Sequence, residues 1–164
     1  MPAGSTYSTI ATTTLGSAQA TITFNSFSGY TDLVLVSSYK RTATSNARVR
    51  FNSDTGNNYS YTVVQGNGTT ASSTRTSNVS GILLFDPLSA STTNFLTSIL
   101  HIQNYSNSTT YKTVLDRSGD AAQGAIATVG LWRNTAAITS FTLDANTGNY
   151  DVGSIFTLYG IASA

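Results

Sequence analysis

Ala47-Arg48-Val49-Arg50-Phe51 alternates without a break: Val49 and Phe51 fall on one side of the chain and both arginines on the other. A period of two residues is the signature of a half-buried antiparallel strand. The same period recurs outward in both directions. Ala20-Thr21-Ile22-Thr23-Phe24 puts Ile22 and Phe24 on one face, Tyr59, Tyr61 and Val63 share a face, and so do Phe141 and Leu143. Turn clusters separate these runs, at 25–29, 54–57, 66–68, 104–108, 116–120 and 146–149. They are rich in Gly, Asn and Asp, which tolerate positive φ or bond to their own backbone.

The spacing predicts strands over 7–14, 18–24, 32–39, 47–52, 59–65, 76–85, 95–103, 110–116, 125–133, 138–144 and 154–161. No stretch carries a helical period of useful length. Many short strands with regular turns imply an all-β protein, a single jelly-roll-like antiparallel β-sandwich. A chain of 164 residues without an internal repeat or linker is expected to be one domain over 1–164, with a short N-terminal arm at 1–6.

Two strands depart from the alternation. Leu33-Val34-Leu35-Val36 is apolar on both faces, and so is Ile155-Phe156-Thr157-Leu158-Tyr159-Gly160-Ile161. A strand apolar on both sides has to be covered on both sides. Either row of the last strand suits the core. With Ile155, Tyr159 and Ile161 turned inward, Phe156 and Leu158 become the candidate oligomer or capsid contacts.

The composition is poor in reactive groups. All seven acidic residues are aspartate, Cys is absent, and His101 is the single histidine. Acid–base catalysis, metal binding and thiol chemistry draw on the residue types that are scarce here. A net charge of +1 with no Lys/Arg cluster argues against a nucleic-acid surface. No apolar run approaches the ~20 residues of a membrane helix. A chain with only 9% charged residues suits a crowded assembly better than a free enzyme.

Each possible site has a plainer explanation. Asp54-Thr55-Gly56 matches the short motif of aspartic proteases, which need two such carboxylates in apolar surroundings. Here it occurs once, among Asn and Ser, and reads as a hairpin turn. His101 would need Ser and Asp partners for a nucleophilic triad, and no Gly-x-Ser-x-Gly elbow exists. Asp116, Asp120, Asp144 and Asp151 could offer loop oxygens to calcium, but Asp116-Arg117-Ser118-Gly119-Asp120 lacks EF-hand spacing. Tyr59, Tyr61, Tyr159 and Trp132 lie in strand patterns and read as core or interface. No catalytic residue, metal ligand or cofactor is expected.

Four phrases in order carry a resemblance. They are Tyr30-Thr31-Asp32-Leu33-Val34-Leu35-Val36, the stretch from Phe51 to Ser60 through Asp54-Thr55-Gly56, the stretch Leu131-Trp132-Arg133-Asn134 running on to Ser140, and the ending Leu158-Tyr159-Gly160-Ile161. Together the chain resembles small β-sandwich virion structural proteins of tailed bacteriophages. The resemblance implies a non-enzymatic particle component at the phage surface, partnered by the major capsid protein or another virion protein, and a homotrimer. A sandwich starting close to Met1, without heptads or triple-stranded repeats, is expected to be a capsid decoration (cement) protein. The alternative is a tail-fibre or receptor- or carbohydrate-binding module.

Overall fold

The computed structural model describes residues 6–85, 88 and 90–162; all but one residue of the expected N-terminal arm lies outside them. Twelve strands are present: β1 (Tyr7–Thr14), β2 (Thr21–Asn25), β3 (Asp32–Tyr39), β4 (Ala47–Phe51), β5 (Tyr59–Gly66), β6 (Ala71–Val79), β7 (Ile82–Leu84), β8 (Leu96–Ile102), β9 (Lys112–Asp120), β10 (Gly124–Trp132), β11 (Ser140–Ala145) and β12 (Ile155–Ile161). All pairings are antiparallel. An eight-stranded sheet runs β1-β12-β3-β8-β9-β10-β5-β6, and a four-stranded sheet runs β2-β11-β4-β7. The protein is an all-β sandwich of two antiparallel sheets.

The alternating strands face the core as their period requires. Ile22, Phe24, Val49, Phe51, Phe141 and Leu143 come from the small sheet, and Tyr59, Tyr61 and Val63 meet them from the large one. Phe51 packs against Trp132 at 5.6 Å and Tyr59 at 6.3 Å between ring centroids, across the two sheets. Full burial of each such side chain contributes about 1.5–3 kcal/mol. On the solvent side of the small sheet, Arg48 and Arg50 converge on Asp144 of β11, at 2.8 Å and 2.6 Å.

The run expected over 76–85 is two strands in two sheets. β6 pairs β5, while β7 pairs β4, and the chain crosses between them at Ser80-Gly81. The crossing passes so close to β4 that a Cβ on Gly81 would sit 2.6 Å from Arg48 Cγ. The expected turn over 116–120 is strand instead. Asp116 and Ser118 point into the core as part of β9, so the polar spelling conceals an ordinary inward row.

The last strand corrects the assignment of contact residues. Phe156 and Leu158 are both 0% exposed and lie in the core, while Ile155 is 42% exposed on the opposite face. Phe156 stacks on Tyr39 at 5.9 Å and meets Tyr150 edge-on at 5.1 Å. Gly160 continues this inward row. Tyr30 lies over it so closely that a Cβ would fall 2.3 Å from the ring. Aromatic rings from three other segments thus claim the Phe156 row, and the outward row is Ile155, Thr157, Tyr159 and Ile161.

Candidate functional site

The residues singled out by sequence do not converge. His101 lies on the outward face of β8, and its Nε2 is 3.1 Å from Asp32 Oδ2 on β3. Among the described residues no serine hydroxyl is hydrogen-bonded to His101. Asp54 caps its own turn: Oδ1 accepts from Gly56 N at 2.8 Å, and Oδ2 accepts from the Trp132 indole Nε1 at 2.7 Å. Partial burial works against ionisation of Asp54. The hydrogen bonds from Trp132, Asn58 and Gly56 outweigh it and hold the carboxyl below the usual range.

The four aspartates considered for calcium are dispersed. Asp144 pairs with the two arginines of β4, and Asp151 pairs with Lys40 at 3.1 Å. Asp120 ends β9, where it accepts from Ala122 N. Asp116 is wholly buried and accepts from Ser98 Oγ at 2.6 Å and from Ser118 Oγ. Burial pushes its pKa up to about 6 against the opposing pull of the two serines. Among the described residues, no three His, Cys, Asp or Glu side chains group as metal ligands. Tyr59, Tyr61 and Trp132 are core residues; Tyr159 faces outward beside Tyr7, with ring centroids 6.2 Å apart.

What the strands do assemble is a surface. The cross-strand registers align the outward residues of the eight-stranded sheet into four parallel rows. One row reads Thr9, Tyr159, Val34, His101, Leu115, Val129, Thr62 and Arg75 from β1 to β6. Its neighbour carries Thr12, Thr157, Val36, Ile99, Arg117, Ala127, Val64 and Ser73. Nine large apolar side chains are exposed among the described residues, and six of them occupy this one face: Tyr7, Val36, Val64, Leu115, Val129 and Ile155. Val64 is 60% exposed and Val129 is 49% exposed. Asp32, His101, Arg117 and Arg75 are the titratable exceptions, apart from the Tyr7 and Tyr159 phenols.

The face is not flat throughout. At its β9–β6 end, a hollow of about 280 Å³ lies among Thr113, Leu131, Val129, Ser60, Thr62 and Arg75. Its lining joins the small hydroxylic side chains Ser60 and Thr62 of β5 to Leu131, Val129 and Arg75. Elsewhere, along the edge of the sandwich, a hollow of about 290 Å³ is lined by Asn57, Asn78 and Asn146 together with Arg48 and Tyr61.

Sequence reasoning missed the face because each strand contributes only two to four residues to it. The signal available was the doubly apolar character of β3 and β12. No family model, curated protein or solved structure matches the chain.

Proposed function

We propose that this chain is a non-enzymatic virion structural protein of a tailed bacteriophage. In this reading it is a capsid decoration (cement) protein at the particle surface, binding the major capsid protein or another virion protein and further copies of itself. The single observation that carries the proposal is the open outward face of the large sheet. A contiguous apolar face on a weakly charged protein marks a surface made to be covered. The sequence resemblance supplies the setting. The strand interleaving supports the jelly-roll description: without the hairpins β5–β6 and β9–β10, β1-β12-β3-β8 stands opposite β2-β11-β4-β7. Each sheet then draws on strands from both halves of the chain, as two Greek keys do.

The test is copy number in particles purified from the source lysate. A decoration protein is present in proportion to the capsid lattice. Its absence from the particle refutes the virion reading. Copies confined to the tail favour the second reading, a carbohydrate- or receptor-binding tail module. The specific observation behind that alternative is the asparagine-lined hollow, whose side-chain amides offer the paired donors and acceptors that sugar hydroxyls use. Glycan-array binding lost on Asn78→Ala would establish it.

A further inference from the structure

We infer that the outward face of the eight-stranded sheet binds a second copy of itself, around a two-fold axis that runs along the strands between β8 and β9. The inference rests on the reading of that face as the assembly surface and names its occupant.

Area is the first argument. Eight strands at ~4.8 Å spacing and about eight residues of length give a face of about 34 Å by 25 Å, on the order of 800 Å². That matches the roughly 800 Å² that each partner contributes to a stable protein–protein contact. Two copies of one twisted sheet also share the same twist, so they can pack face to face in the aligned manner of a sandwich.

Self-complementarity is the second argument. One end of the face carries large side chains, Tyr7, Tyr159 and Ile161 on β1 and β12. The face is recessed at the other end, in the hollow above Ser60 and Thr62. Registers place these large side chains and the hollow on the same two rows. Rotation about an axis along the strands exchanges the first strand with the eighth and the second with the seventh. Tyr159 of one copy then stands over Thr62 of the other, Ile161 over Ser60, and Tyr7 beside Arg75, whose guanidinium can lie on an aromatic face. A two-fold axis across the strands would instead set β12 on β12 and leave the hollow empty. A trimer needs two different patches that meet head to tail. A single self-matching face fits a two-fold, and we propose it in place of the trimer that the resemblance implies.

One charge opposes the pairing. Arg117 lies on β9 next to the axis, so the two copies bring two guanidiniums close together. Removing it has a distinctive consequence: Arg117→Ala should tighten the dimer.

Sedimentation velocity on the full chain across the micromolar range tests this. Wild type should run as a species of twice the 17.2 kDa chain mass. Val129→Asp should weaken association at least tenfold with an unchanged thermal melt. Val64→Asp, on a more exposed position, does the same service if Val129→Asp proves unstable. Thr23→Asp, on the outward face of the small sheet, should leave the dimer intact. Arg117→Ala should strengthen association severalfold, a gain that no folding defect can mimic. A monomeric or trimeric wild type overturns the inference. So does a dimer indifferent to Val129→Asp and Val64→Asp, or an Arg117→Ala variant that associates no more tightly. A monomer that still binds purified particles would sink the second-copy inference and leave the virion reading standing. A dimer absent from every particle would do the reverse.

Discussion

Asp116→Asn should stabilise this protein near neutral pH, and the gain should vanish in acid. Asp116 is 0% exposed on β9, with Leu100 on one side and Thr128 on the other in register. Among the described residues no salt bridge reaches it, although the charge of Arg117 favours its ionised form; its hydrogen bonds come from Ser98 and Ser118. Desolvation dominates, and the carboxyl is raised from 3.8 to about 6. A group whose folded pKa lies above its unfolded value favours folding when protonated. Its stabilising contribution is complete below 3.8 and is lost as pH rises through about 6. At about 1.36 kcal/mol per unit, the ionised carboxylate costs up to about 3 kcal/mol at pH 8. Asparagine keeps the shape and removes the charge. It also needs an acceptor for its amide, which Ser118 Oγ can provide, so a gain of about 1–3 kcal/mol is expected. For a chain of this size that is about 2–12 °C in Tm. Urea denaturation of both proteins at several pH values from 8 to 4 isolates the effect, because the other carboxylates titrate alike in each. The gap should fall by about 2 kcal/mol between pH 8 and pH 4. Parallel stability curves over that range would show that Asp116 ionises as freely folded as unfolded, and the account of its burial would be refuted.

Other consequences are equally checkable. Leu158→Asp should abolish cooperative folding, whereas Ile155→Asp should melt near wild type; circular dichroism melts separate them, and the opposite order would reverse the assignment of β12's two rows. Gly160→Ala should cost about 1–3 kcal/mol through its clash with the Tyr30 ring, and Tyr30→Ala in the same chain should recover part of that loss. Asp54→Ala should cost about 1–3 kcal/mol by leaving the Trp132 indole N–H unpaired. The depressed pKa of Asp54 sets the sign of the matching acid effect: its stabilisation is present above 3.8 and is lost as pH falls through the lower folded value. Fluorescence of Trp132, the single tryptophan, reports both changes.

Legibility in the sequence followed the physics of each strand. Where one face is buried and the other wet, as in β2 and β4, alternation reveals strand, direction and core residues together. β6 carries no such contrast, because its side chains are polar on both faces and it is held by β5 through backbone pairing. β9 misleads in a different way. Its inward row holds Asp116 and Ser118, whose burial depends on partners brought from β8, so the stretch resembles a turn. β12 is apolar on both sides, and nothing within it distinguishes Phe156 and Leu158 from Ile155 and Tyr159. The choice is made by Tyr30, Tyr39 and Tyr150, which lie far away in the chain.

The outward face extends the same reasoning from one strand to eight. Along β10, local hydrophobicity would turn Ala127, Val129 and Leu131 inward and expose Thr128 and Gly130. The structure does the reverse. Gly130 packs under Ile82 and Val114 so tightly that a Cβ would lie 2.6 Å from Ile82 Cδ1, and Trp132 needs the inward side to reach Asp54. Core geometry therefore dictates the parity of β10, and Val129 is left outside as a consequence. Its neighbours Leu115 and Val64 are outside because register binds them to β10's parity. An exposed valine on one strand needs no explanation. Exposed apolar residues on β1, β12, β3, β9, β10 and β5 of one sheet face do, since each of those positions accepts a polar residue at no cost to the core. The composition of that face is therefore not dictated by the fold beneath it.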